Sequence, residues 1–104
     1  IEPLRRLESL SVESSGLTQL EPSSLYRLQV SLRSRDPMPL MAPALDVTLT
    51  DSRGEVVARK VLGRADFGPA APGHLAANGE LTLVAVLDTG ERRVSGYSVE
   101  IFYP

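Results

Sequence analysis

His74 is the only histidine in the chain. It lies between Gly73 and Leu75, in a stretch rich in proline and glycine, with no acidic neighbour in sequence. A zinc site needs three or four nitrogen, sulfur or oxygen ligands, and with no cysteine present only carboxylates remain to complete one. Serines are plentiful, but no Gly-x-Ser-x-Gly elbow accompanies them, so a hydrolase triad has little support. Asp66-Phe67-Gly68 matches the magnesium-binding tripeptide of protein kinases. The glycine-rich and catalytic loops that give that tripeptide its chemistry are missing, and the chain is too short to hold them. Asp46, Asp51 and Glu55 lack the spacing of a calcium loop, and turn formation accounts for Asp51 without a metal. Arg5, Arg6, Arg92 and Arg93 read as solvated charge. The expectation is a domain that is not an enzyme and binds no metal or cofactor.

Composition narrows the classes further. A chain of 104 residues is long enough to bury one core, about two-thirds of its extended surface, as a single domain over residues 1–104. Thirteen acids against eleven basic residues give a net charge of −2. That argues against non-specific nucleic-acid binding, which depends on Lys and Arg neutralising phosphates. Ten of the eleven basic residues are arginine, a usage attributed to a GC-rich genome rather than to recognition. Without cysteine there is no disulfide. No apolar run approaches the ~20 residues of a membrane helix, so direct membrane insertion by this segment is not expected. The first residue is Ile1, which reads as a processed chain or a piece of a longer one.

The elements that must position any site are extended. Leu45, Val47 and Leu49 alternate with Asp46, Thr48 and Thr50, so the apolar three share one face of a strand. Asp51 to Gly54 supplies a four-residue turn, and Glu55 to Leu62 returns as the second strand of a hairpin. The inward set of that return strand is open: Val57 and Val61, or Val56, Ala58 and Leu62, with a bulge reconciling the two. Ser24 to Ser34 alternates cleanly, with Tyr26, Leu28, Val30 and Leu32 on one face. Leu7 to Ser15 reads as a first strand ended by Gly16. A helix competes through Leu4, Leu7 and Leu10, but the serines are poor helix formers. Gln19 to Ser23, with Pro22, is a polar connection. Gly63 to Gly79, with Pro69 and Pro72, is irregular; Phe67 and Leu75 anchor it, and one turn of helix fits Arg64 to Phe67. Glu80 to Leu87 and Val94 to Tyr103 are the remaining strands. Val84 and Val86 make the former apolar on both faces, as for a covered strand or a partly buried edge.

Six or seven strands without a convincing helix predict an all-β antiparallel sandwich, immunoglobulin- or fibronectin-III-like, without a disulfide. Asp36 to Pro43 reads Asp-Pro-Met-Pro-Leu-Met-Ala-Pro, and its prolines exclude it from a sheet interior. Its apolar residues either cap the end of the core or form an exposed, adaptable binding loop, since methionine suits such surfaces. Pro37, Met38, Leu40 and Met41 are the candidate interaction residues.

A wider pattern spans almost the whole chain. A strand, a polar proline loop and a strand ending in Asp51-Ser52-Arg53-Gly54 are followed by Val57-Ala58-Arg59-Lys60. Asp66-Phe67 and Gly79-Glu80 come next, and the chain closes on Gly96-Tyr97-Ser98-Val99-Glu100-Ile101-Phe102-Tyr103-Pro104. This resembles the C-terminal domain of a proteobacterial family of unknown function. In that family a cytoplasmic zinc ribbon and a single transmembrane helix precede the domain. The resemblance implies a C-terminal portion of a membrane-anchored protein on the periplasmic side of the inner membrane. It implies no activity, and no metal role carries over to any residue here.

Two functions follow as expectations. The first is a non-enzymatic protein-interaction or structural domain that meets an unknown protein partner through a sheet edge or the Asp36–Pro43 loop. The second is a small-ligand or carbohydrate-binding sandwich, for which Tyr26, Tyr97, Tyr103, Phe67 and Phe102 are the only stacking groups.

Overall fold

The computed structural model describes residues 4–21, 24–68 and 71–104. The expectations on Pro3, Pro22, Ser23 and Pro69 fall outside the described residues. The described residues form eight strands: β1 (Leu10–Leu20), β2 (Leu25–Ser34), β3 (Leu40–Met41), β4 (Ala44–Thr50), β5 (Val56–Leu62), β6 (His74–Leu75), β7 (Glu80–Asp88) and β8 (Gly96–Phe102). One antiparallel sheet has the order β1-β2-β7 and the other β5-β4-β8, with β3 and β6 paired as a short ribbon. The all-β antiparallel sandwich is therefore as expected. The count exceeds six or seven because β3 and β6, two residues each, carry no pattern of their own.

The two sheets enclose one core. Leu28, Val30, Leu32, Leu81, Leu83 and Leu87 from the first face Leu45, Val47, Leu49 and Leu62 from the second, all buried. Each such side chain stabilises the fold by about 1.5–3 kcal/mol relative to exposure. The period-two pattern of β2 and β4 is realised residue by residue, because a central strand has one face on the core and the other on solvent.

The hairpin β4–β5 turns as its residues dictate. The Asp51 carboxylate accepts from the amides of Arg53 at 2.8 Å and Glu55 at 3.0 Å, and Gly54 takes a φ of +79°. Thr50 pairs with Val56 and Leu49 with Ala58, so Val57 is the extra residue of a bulge. The bulge settles the face of β5. Ala58 and Leu62 turn inward opposite Leu49 and Leu45, whereas Val56 and Val61 are exposed.

The first strand differs from expectation. Leu7–Ser9 is a 3-10 turn, and β1 then runs on through Ser14, Ser15 and Gly16 to Leu20. It is an edge strand, so an open backbone row replaces one set of neighbours. Eight of the ten residues after Leu10 are exposed and the other two are half-buried, which removes the alternation. β7 is likewise an edge, which explains Val86: the strand is not covered on both sides, and this valine faces solvent. Among the described residues no helix is long and apolar enough to cross a membrane.

Candidate functional site

Two connections cross from one sheet to the other at the same end of the sandwich. Residues 35–43 lead from β2 to β4, and residues 63–79 lead from β5 to β7. They pass each other and pair through β3 and β6, Leu40 opposite Leu75 and Met41 opposite His74. Leu4 adds a parallel bridge to Leu40, and the Met41 amide donates to the Leu4 carbonyl at 2.7 Å. This pole is built by residues far apart in sequence, and it combines exposed apolar surface with charge.

Asp36 organises the first crossing. Its side chain is 2% exposed and accepts from the Met38 amide at 2.9 Å and the Ser9 hydroxyl at 2.9 Å. The Arg6 guanidinium stands 3.4 Å away. The Met38 amide, then Ser9 and Arg6, favour the charged carboxylate against the opposing cost of burial, and hold it below its ordinary range. Asp36 is thus a buried strut that shapes the loop. No sequence pattern marked it beyond an Asp ahead of proline, a common turn opening.

The loop residues then separate. Leu40 is fully buried and belongs to the core, so of the four candidate interaction residues it is the one that offers nothing to a partner. Pro37 is exposed and Met38 is 50% exposed. Met41 is half-buried and lines a pocket of about 220 Å³ between the two crossings. Leu40 thus caps the core, and Met38 projects from the loop.

The pocket has apolar walls and a basic rim. Ala42 and Pro43 join Met41 on one side, Phe67 and Pro72 stand opposite, and Leu83 of β7 reaches it from the core. Phe67 is placed by the 3-10 turn Arg64–Phe67. That turn is closed reciprocally: the Gly63 amide donates to the Asp66 carboxylate at 2.8 Å and the Asp66 amide to the Gly63 carbonyl at 3.0 Å. This is the role of Asp66 in the Asp-Phe-Gly tripeptide.

Arg5 and Arg64 also line the pocket. The Arg5 Nε–H donates to the Met41 sulfur at 3.3 Å. The Arg64 guanidinium closely approaches Gly73, where an added Cβ would meet its Cζ at 2.9 Å, so the bare backbone there is what lets the arginine lie against the wall. The ion pairs among the described residues are Arg6–Asp36, Arg33–Glu13, Arg33–Glu80 and Arg59–Asp46. Arg5 and Arg64 enter none of them. Reading Arg5 simply as solvated charge, and Arg64 only as the start of a helical turn, misses that the two border one apolar cavity.

The other chemical candidates disperse. His74 is exposed on β6, Asp46 pairs with Arg59, and Asp51 serves its turn. No group of three His, Cys, Asp or Glu among the described residues is arranged to hold a metal ion. Tyr26 is buried with its hydroxyl accepting from the Val94 amide at 3.2 Å, and Phe67, Tyr97, Phe102 and Tyr103 are half-buried. The exposed aromatic row that a carbohydrate platform needs is not formed by these five.

No curated protein and no solved structure matches the chain. One family does, over residues 7–101, which takes in both sheets and both crossings. The chain therefore belongs to the family described as "Protein of unknown function (DUF3426)".

Proposed function

We propose that this domain is a non-catalytic interaction module, displayed outside the cytoplasm by a membrane-anchored protein, which engages a protein partner at the pole where its two crossings meet. The observation that carries the reading is the pairing of an exposed Met38 with an open apolar pocket on one end of the sandwich. Exposed methionine and a concave apolar surface are what adaptable protein contacts use. The likeness of the closing Gly96–Pro104 run to periplasmic domains that follow a zinc ribbon and a membrane helix supports the location. Pro37, Met38 and Met41 are the contact residues on this reading.

Site-specific photocrosslinking in the native cell tests it. A benzoylphenylalanine at position 38 should give one defined adduct, and the same group at Arg53, in the β4–β5 turn, should give none. Equal labelling from both positions, or from neither, would remove the assignment. A reporter enzyme active only in the periplasm, fused after Pro104, tests the location separately.

A further inference from the structure

We infer that the pocket receives the free C-terminal residue of the partner protein, an apolar side chain with its α-carboxylate held by Arg5 and Arg64. This deepens the interaction-module reading and rests on it. Three observations converge. The cavity of about 220 Å³ is smaller than the ~300–1,000 Å³ of sites for drug-sized ligands or cofactors, and suits a single side chain of leucine or phenylalanine size. Its walls are predominantly hydrocarbon, with Ala42, Pro43, Phe67, Pro72 and Leu83 among them, which favours an apolar side chain over a sugar inside. Its rim carries two guanidinium groups, and no carboxylate of the described residues forms an ion pair with either, although Pro104 also lines the pocket.

An apolar body and a single anionic head must therefore sit on the same small ligand. A guanidinium presents a planar fork of donors that matches a carboxylate, and two of them at one mouth favour a full negative charge over a neutral amide. Arg64 rests against Gly73 and Arg5 donates to the Met41 sulfur, so both guanidinium groups already stand at the pocket in the free domain, which lowers the ordering cost of binding. An interior apolar residue of a partner carries no carboxylate of its own. The last residue of a chain does, and capture of a terminal carboxylate is an established mode of peptide recognition.

The test is an amide-resolved NMR titration of the whole chain with acetylated pentapeptides, Gly-Ser-Gly-Ser-X, where X is Ala, Val, Leu or Phe. Each is supplied as the free acid and as the C-terminal amide, with hexanoate as a separate arm. The expected result is saturable shifts at Met41, Ala42, Gly63, Phe67 and Gly73. Leu or Phe free acids should be favoured over Ala, and the matching amides should bind at least tenfold more weakly. Arg5→Gln and Arg64→Gln should each weaken the acid about tenfold with the thermal midpoint unchanged, while Arg53→Gln in the β4–β5 turn should have no effect. Acid and amide binding alike, no shift at the pocket, or hexanoate outcompeting every peptide would overturn the inference. If the peptides fail while the crosslink at position 38 persists, the interaction module stands and only the terminal-residue assignment falls.

Discussion

The hydroxyl of Tyr103 donates to the carbonyl oxygen of Met41 at 2.7 Å. This one bond fastens the segment after β8 to the ribbon that walls the pocket. A net hydrogen bond of this kind stabilises by about 1 kcal/mol. Tyr103→Phe should therefore lower the urea-derived stability by about that amount, or roughly 4–8 °C of melting temperature at this chain length. The amides of Met41 and Ala42 should shift and those of Asp51 to Gly54 should not. An unchanged midpoint would show the bond to be idle.

Asp36 predicts a pH signature. Its folded carboxylate is held below the ordinary range, first by the Met38 amide and then by Ser9 and Arg6. The folded state thus binds its proton less readily than the unfolded chain. The stabilisation is present above the ordinary carboxylate value of about 3.9 and disappears as pH falls through the lowered folded value. Asp36→Asn should be less stable than the parent at pH 7, and the two should converge toward acid. Urea denaturation at pH 7, 5, 4 and 3 reads this directly. A constant gap across the series would mean that Asp36 acts through shape alone.

The centre of the core gives the largest effect. Leu45 is fully buried near the start of the central strand β4, paired with Leu62 on one side and Ile101 on the other. Leu45→Ala should cost about 2–5 kcal/mol. Val61→Ala on the same sheet, where the side chain is 61% exposed, should cost far less. Chemical denaturation of the two variants side by side separates burial from strand propensity.

The hairpin turn offers a backbone test. At Gly54 an added Cβ would meet nothing within 4 Å, so only the positive φ resists substitution. Gly54→Ala should cost about 1–2 kcal/mol. Gly54→Asn should recover part of it, because asparagine tolerates that region. If Ala and Asn are equally costly, something other than φ governs the position.

Legibility in the sequence followed geometry. β2 and β4 are central strands with one face on the core, so Tyr26 to Leu32 and Leu45 to Leu49 wrote their burial as alternation. The Asp51–Gly54 turn and the Arg64–Phe67 turn were readable because each is closed by its own residues. β1 beyond Gly16 was not, since an edge strand with exposed Ser, Thr and Gln need not alternate. The inward face of β5 required knowing that Val57 is the bulged residue, which depends on the partner strand. The Asp36–Pro43 connection was legible as an irregular link, but not its division into buried Leu40 and exposed Met38, which the pairing with Leu75 decides. Arg5 and Arg64 stand 59 positions apart, and nothing local announces that they border one cavity.

β1 and β8 are both edge strands, and they meet across the sheets where the Ser15 and Tyr97 hydroxyls lie 2.9 Å apart. β1 begins and β8 finishes at the pole that carries Arg5 and Pro104. Tension applied between those two points would not shear the ladders, in which every bond resists together. It would peel β1 from Leu10 and β8 from Phe102 one rung at a time, after tearing the short ribbon at Met41. The sandwich is in that sense strong to solvent and weak to traction, and the first thing a pull would dismantle is the cavity itself.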